Sequence, residues 1–383
     1  MKAARSLPLN SPQRGLSLIE ILVGLAIGVI GMIAMFQTVG VWNRHTQTTS
    51  AGGDAQVAGT LGLFSIERDF KQSGHGFGEA TVPVMGCMVQ AFALPPIPLR
   101  PVDILPGALG APDQINVLSG ESSFFTEGQD FLSSTPTSKT LRRRGGFKPG
   151  DLVVVADAGA GLPGTANCSL AEITSDANPD LLTVDHLQAA YVPFGLPARP
   201  AAPSQFNPPG GLAFPYVSGT VYNLGPRPQW VNWQIANNRT LQRTEQLFRP
   251  LLPDDVADGV INLKAEYGVD LNGNTVIEPG EWLAAIPPGN NWNQVLAIRV
   301  AILVRSRQFE RGGDTGRGPP VPVTLAAPTY FGGLPFAMTN VDGNPDTFLG
   351  AARASHDPNN WHYYRYRVYE RVIPLKNMLW ALP

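Results

Sequence analysis

The chain reads as an α+β protein in which a long N-terminal helix, containing a membrane span, leads into a β-rich head. Three observations predict this. Leu16 to Phe36 is apolar apart from Ser17 and Glu20. Gly 41 and Pro 36 together make up about a fifth of the 383 residues and are spread along the sequence, a composition of many short elements joined by loops. After Gly78 the apolar residues fall into short β-type runs separated by Pro/Gly segments.

The first fifteen residues, Met1 to Gly15, contain Lys2, Arg5 and Arg14 and no acid. The following 21 apolar positions, at about 1.5 Å per residue, cover about 30 Å as a helix, the hydrocarbon thickness of a bilayer. The basic leader predicts a cytoplasmic N-terminus, with the rest of the chain beyond the membrane. Trp42 suits an interfacial anchor, and no A-x-A-like cleavage site follows Phe36. Glu20 is the odd residue, because a carboxylate inside an apolar helix is costly in lipid and implies a partner. Gly24 and Gly28 form a G-x-x-x-G that permits close helix approach.

From Gln37 to about residue 74 the sequence turns polar but keeps helical spacing, with Val57, Leu61 and Phe64 on one stripe and Leu63, Ile66 and Phe70 on another. One stripe is expected to pack on the head. Gly52-Gly53 predicts a break, and Gly74, Gly76 and Gly78 a stop. In the head, residues 75–383, strands are predicted at Gln114–Leu118, Leu152–Ala156, Leu181–Val184, Val221–Leu224 and Trp230–Ile235. Two stronger runs, VLAIRVAILVR at 295–305 and YYRYRVYERV at 363–372, alternate so as to bury one face each. Ala91–Pro112 and Leu196–Gly211 are expected to be long surface loops.

Charge narrows the function. Lys+Arg 28 against Asp+Glu 30 leaves a net charge of −2, so bulk attraction to nucleic acid is not expected. The basic run Arg142-Arg143-Arg144, with Lys139 and Lys148, reads as a solvated loop. Cys87 and Cys168 are the only cysteines, which excludes thiolate clusters and zinc ribbons. Beyond the membrane they are expected to form a disulfide, the alternative being two buried thiols.

No G-x-S-x-G, H-E-x-x-H or P-loop appears, and His45, His75, His186, His356 and His362 are scattered, so no catalytic site is expected. Gly159, Gly161 and Gly164 match G-x-G-x-x-G, with Asp185 about twenty residues on, but Pro163 interrupts the helix such a motif must open. Asp270 to Glu281 follows the twelve-position calcium loop. Asp270, Asn272, Asn274, the Val276 carbonyl, Glu278 through water and Glu281 would supply the oxygens that Ca2+ requires. Thr275 stands at position 6, where Gly normally allows the turn. The other reading is an Asn-Gly turn between two strands. Asp342-Gly-Asn344-Pro-Asp346 opens similarly but has Arg353 at position 12, and reads as a turn.

Arg14-Gly15-Leu16-Ser17-Leu18-Ile19-Glu20 resembles the leader of type IV prepilins and type II secretion pseudopilins. The resemblance implies cleavage by a prepilin peptidase between Gly15 and Leu16, N-methylation of Leu16, and retention of the apolar helix. It also gives Glu20 a partner, the Leu16 ammonium of a neighbouring subunit. Most members of that family carry Phe where this chain has Leu16. FSIERDFKQSGHG, ADGVINLKAEYGVDLNGN, VLAIRVAILVRS and YRYRVYERVIPLKNMLW further resemble the PilW-like minor pilins, in the same order along the chain.

That resemblance implies a leader (1–15), a membrane and filament-core helix (16–36), an amphipathic continuation (37–74) and a periplasmic head (75–383). The function it implies is structural. Such a protein is anchored in the inner membrane, joins other minor pilins and the major pilin, and helps initiate a pilus whose tip can present an adhesin. The alternatives are a type II secretion pseudopilin and a membrane-anchored periplasmic adhesin or enzyme.

Overall fold

A computed structural model describes residues 17–122, 127–143, 146–175, 182–195, 200–236, 239–286, 291–310, 322–341 and 359–379. The chain divides into two compact units, Met1–Gly52 and Gly53–Pro383. Helix α1 spans Leu18–Gln72, so the break expected at Gly52-Gly53 does not interrupt the helix.

Within the second unit, α1 packs through one of its two apolar stripes. Ile66 and Phe70 are fully buried and Leu63 packs beside them, whereas Val57, Leu61 and Phe64 on the opposite face are 68%, 48% and 64% exposed. The glycines of this segment have a packing role rather than a bending one. A Cβ on Gly59 would run into the Tyr369 ring, and one on Gly62 would lie 3.0 Å from Leu241, so the helix can approach the sheets closely only because both side chains are missing. Asp69, buried at the same face, accepts from Arg243 Nε at 2.7 Å and ties the helix to a strand of the head.

The helix stops at Gln72. Gly74 takes φ +76 and its N–H donates to Leu118 O, which turns the chain away. The carbonyls of Gln72 and Ser73, left without helical donors, accept from the Asn377 amide at 3.2 and 2.8 Å. Asn377 belongs to the short helix Lys376–Leu379 near the other end of the chain.

Among the described residues the head has three larger sheets and two two-stranded ladders, Ala190–Tyr191/Ala202–Pro203 and Thr329–Tyr330/Leu334–Pro335. An eight-stranded sheet runs Ile97–Pro98, Met88–Gln90, Cys168–Glu172, Leu152–Ala156, Gly219–Gly225, Gln129–Ser134, Ser138–Leu141, Thr183–Asp185. Its ladders are antiparallel except where Met88–Gln90 meets Cys168–Glu172. A five-stranded sheet runs Asp254–Asp258, Thr240–Glu245, Gln229–Ile235, Gln114–Ser119, Val102–Leu105, and a four-stranded sheet runs Trp282–Leu283, Val260–Val269, Val295–Arg305, Tyr366–Pro374.

Period-two alternation explains the burial. In Leu152–Ala156 every residue is buried, with Leu152, Val154 and Ala156 in the main core beneath α1 and Val153 and Val155 in a second core. That second core, with Phe131, Leu141, Ile173, Val184 and Tyr216, lies on the other face of the eight-stranded sheet. An uninterrupted apolar run is what a strand covered on both sides requires.

The predicted strands are present, with ends shifted by a few residues where they are described. The expectation that Val295–Arg305 buries one face is corrected. Both faces are buried, because Phe336 and the hairpin Thr329–Tyr330/Leu334–Pro335 cover Ala301 and Leu303. The expected loop Ala91–Pro112 contains the strands Ile97–Pro98 and Val102–Leu105. It is anchored by a buried ion pair, in which Lys264 Nζ donates to Asp113 Oδ1 at 2.8 Å. The Asp113 carboxylate also accepts from Gly107 N and Ala265 N, so the pair is embedded in further hydrogen bonds, the condition under which a buried pair is tolerated.

Candidate functional site

Two segments carry the chemistry singled out by the sequence. The first is the start of α1. Gly15 and Leu16 lie outside the described residues. Ser17 precedes the helix and Glu20 is three residues on. Glu20 N donates to Ser17 Oγ at 3.3 Å and Ser17 N to Glu20 Oε2 at 3.5 Å, the reciprocal arrangement of a capping box. Glu20 therefore serves the N–H groups of its own helix, a role that S-x-x-E spacing announces and that charge alone does not suggest. Beyond it, Leu18–Gly40 is a helix long and apolar enough to cross a membrane, with its side chains exposed.

The second is Asp270–Glu281. It connects Val260–Val269 to Trp282–Leu283, which pairs back onto Tyr267 and Gly268, so the segment is a hairpin connection as the turn reading expects. Its interior is built like an oxygen-lined loop. Asp270, buried at the end of its strand, accepts from Gly273 N and Asn274 N through Oδ1 and from Thr275 N through Oδ2, at 2.8 to 3.0 Å. Asn272 Oδ1 accepts from Asn274 N and Asn274 Oδ1 from Val276 N. Glu281, also buried, accepts from Leu271 N and Glu278 N and forms a capping box with Glu278 on the turn Pro279–Glu281.

Thr275 adopts φ +63. The left-handed backbone that position 6 demands is thus present, carried by a β-branched residue for which it is strained. The oxygens of Asp270 and Glu281 are engaged by backbone N–H groups, and Asn272, Asn274 and Glu278 are exposed. Among the described residues no three His, Cys, Asp or Glu side chains gather into a metal-type cluster.

The other marked residues separate. Cys87 and Cys168 form a disulfide, Cα–Cα 6.3 Å, at the parallel junction of the eight-stranded sheet. The basic run does not form a single surface. Lys139 is only 1% exposed and Lys148 lies 3.9 Å above the Phe194 ring, while Arg142 and Arg143 are exposed and Arg144 lies outside the described residues. Lys139 Nζ donates to Thr135 O, Ser138 O and, at 3.0 Å, His186 Nε2. Burial lowers this lysine to about 8. Burial first, and the Lys139 ammonium second, lower His186 to about 3. Gly159, Gly161 and Gly164 lie in turns with positive φ. Asp342, Asn344, Asp346, Arg353 and His356 fall outside the described residues.

Residues 230–377 match the family described as Type IV Pilus-assembly protein W, and residues 10–36 match the prokaryotic N-terminal methylation motif. Over these segments the chain is similar to PilW-like, type IV pilus-related proteins. No curated protein and no solved structure matches it. The PilW-like segment runs from Gln229–Ile235 to the Asn377 cap and contains the four-stranded sheet, the Asp270 loop and three strands of the five-stranded sheet. The eight-stranded sheet lies wholly before it in sequence.

Proposed function

We propose that the chain is a minor pilin, cleaved between Gly15 and Leu16, N-methylated at Leu16, and drawn from the inner membrane into a type IV pilus with its head in the periplasm or at the filament tip. Its role is assembly with other minor pilins and the major pilin, and presentation of a tip adhesin, rather than turnover of a substrate. The observation that carries this reading is the order of a methylation motif, an exposed apolar helix and a PilW-like segment on one chain. The outward face of α1 in the head supports it, since Val57, Leu61 and Phe64 form an exposed apolar stripe suited to packing in a filament.

The test is mass spectrometry of the N-terminal peptide from membranes and from sheared surface filaments. An N-methylated peptide starting at Leu16 is expected in both; a terminus at Met1, or one beyond Phe36, contradicts the reading. Glu20→Ala is expected to be processed normally but to fall by about tenfold in filaments, because the Leu16 ammonium of the neighbour loses its counter-charge in an apolar core. Equal filament content of Glu20→Ala and the unsubstituted chain would remove that role.

The Asp270 loop is proposed to bind Ca2+ through Asp270, Asn272, Asn274, the Val276 carbonyl, Glu278 and Glu281, stabilising the head. Isothermal titration of the full chain in detergent with CaCl2 up to about 1 mM, the range of extracellular modules, is expected to show uptake that Glu281→Gln abolishes. Absence of heat and of any rise in melting midpoint at that concentration would sink the assignment.

A further inference from the structure

Edge strands are templates for further pairing, and folded proteins usually shorten, bulge or cover them. Most sheet edges of this head are short, as at Ile97–Pro98, Thr183–Asp185, Val102–Leu105 and Trp282–Leu283. Tyr366–Pro374 is different. It is a nine-residue edge, paired along its whole length with Val295–Arg305, and no second described strand pairs with it. Its register runs without a shift, whereas the neighbouring ladder between Val260–Val269 and Val295–Arg305 has two.

The phase of the ladder shows which backbone groups are open. Ser306 N donates to Arg365 O and Leu375 N donates to Leu296 O. In an antiparallel pair, alternate residues turn both backbone groups toward the partner. Arg367, Tyr369, Arg371 and Ile373 therefore face Val295–Arg305, and Tyr366, Val368, Glu370 and Val372 direct N–H and C=O outward.

Side chains along this edge have a bias. Arg365, Arg367 and Arg371 share the face toward α1, where Tyr369 covers Gly59. Arg365 pairs with Glu310 and Arg371 with Glu67, while Arg367 is exposed and makes no ion pair among the described residues. At the far end a groove of about 380 Å³, lined by Arg299, Phe331, Gly332, Glu370, Arg371 and Val372, opens beside the strand.

We propose that the Tyr366–Pro374 edge receives an extended acidic strand of a neighbouring pilin subunit, which lengthens the four-stranded sheet across the subunit boundary. Main-chain hydrogen bonds supply the affinity, and Arg367 selects for acid opposite it. The inference rests on the minor-pilin reading above.

The test uses the full chain expressed in its own cells, with filament content measured against membrane content. Val372→Pro removes an outward N–H and no bond of the existing ladder, so the fold tolerates it. Val372→Ala keeps the N–H. Val372→Pro and Arg367→Glu are expected to fall about tenfold in filaments with normal N-terminal processing and unchanged melting midpoint, while Val372→Ala and Arg367→Lys stay at the unsubstituted level. Equal content of Val372→Pro and Val372→Ala would overturn the docking edge and leave the pilin reading standing. Should Val372→Pro fail to fold, Arg367→Glu decides, and its normal incorporation would overturn the acidic partner. Absence of the unsubstituted chain from filaments would overturn both readings.

Discussion

Replacing Cys87 and Cys168 together by alanine is expected to lower the unfolding free energy of the head by about 4.5 kcal/mol, the chain-entropy value for a closed loop of this length. The two residues are 81 apart in sequence and both are fully buried. The bridge also has local work. Met88–Gln90 pairs with Cys168–Glu172 only at Val89↔Cys168 and Gln90↔Ser169, and the bridge reinforces this short ladder together with the bonds from Gly164 N to Val82 O and from Ala166 N to Pro83 O. Urea unfolding of the oxidised chain, the reduced chain and the double alanine variant measures this. A midpoint shared by all three would show that the crosslink contributes nothing to stability.

Acidification is expected to destabilise the head through His186 by about 4 kcal/mol between pH 6.5 and 3, since each tenfold difference in proton affinity between the folded and unfolded chain is worth about 1.4 kcal/mol. The imidazole titrates near 6.5 in an unfolded chain and near 3 in the head. Across that window the unfolded chain binds more protons, so stability is full above about 6.5 and falls as pH falls toward 3. The cause is geometric. His186 Nε2 accepts from the Lys139 ammonium, its Nδ1 meets no partner among the described residues, and both side chains are 1% exposed. A second positive charge there would face the first at 3.0 Å in an apolar core.

His186→Gln keeps an acceptor for Lys139 but takes no proton, and should flatten the acid limb of a plot of urea midpoint against pH. Lys139 acts on the alkaline side. Its folded value near 8 lies below the unfolded 10.5, so stability rises from about pH 8 to 10.5 as the buried ammonium is neutralised. Parallel acid limbs for His186→Gln and the unsubstituted chain would refute the first effect, and a flat alkaline limb the second.

Much of the architecture could be read from linear patterns, and what could not was decided by neighbours distant in sequence. The N-terminal motif is legible because its information is local: a basic leader, a glycine, and a glutamate at fixed spacing in an apolar run. Leu152–Ala156 is legible because a strand buried on both faces must be continuously apolar, whereas in Val295–Arg305 the alternating Arg299 and Arg305 point to one buried face and hide the burial of the second. Gln129–Ser134, Ser138–Leu141 and Asp254–Asp258 are polar or acidic, have weak strand preference, and exist because adjoining strands pair with them. Lys139 looks basic and solvated beside Arg142 and Arg143, yet alternation with Leu141 puts it on the inward face of its strand, a cue that was available. The Asp270 loop was legible in its oxygen spacing. The left-handed turn at Thr275 was not, because that residue type argues against the conformation it holds.

The Asn377 amide that closes the end of α1 also sets the timing of the protein's maturation. Gln72 and Ser73 are made more than three hundred residues before the side chain that satisfies their carbonyls. Gln114–Ser119 likewise waits for Gln229–Ile235, and Val295–Arg305 for Tyr366–Pro374. Pairings of such sequence separation form late. The head is therefore completed only once Tyr366–Pro374 and Asn377 have been made. A copy that stops before Tyr366 keeps the leader and helix but lacks both the strand that pairs along Val295–Arg305 and the Asn377 cap.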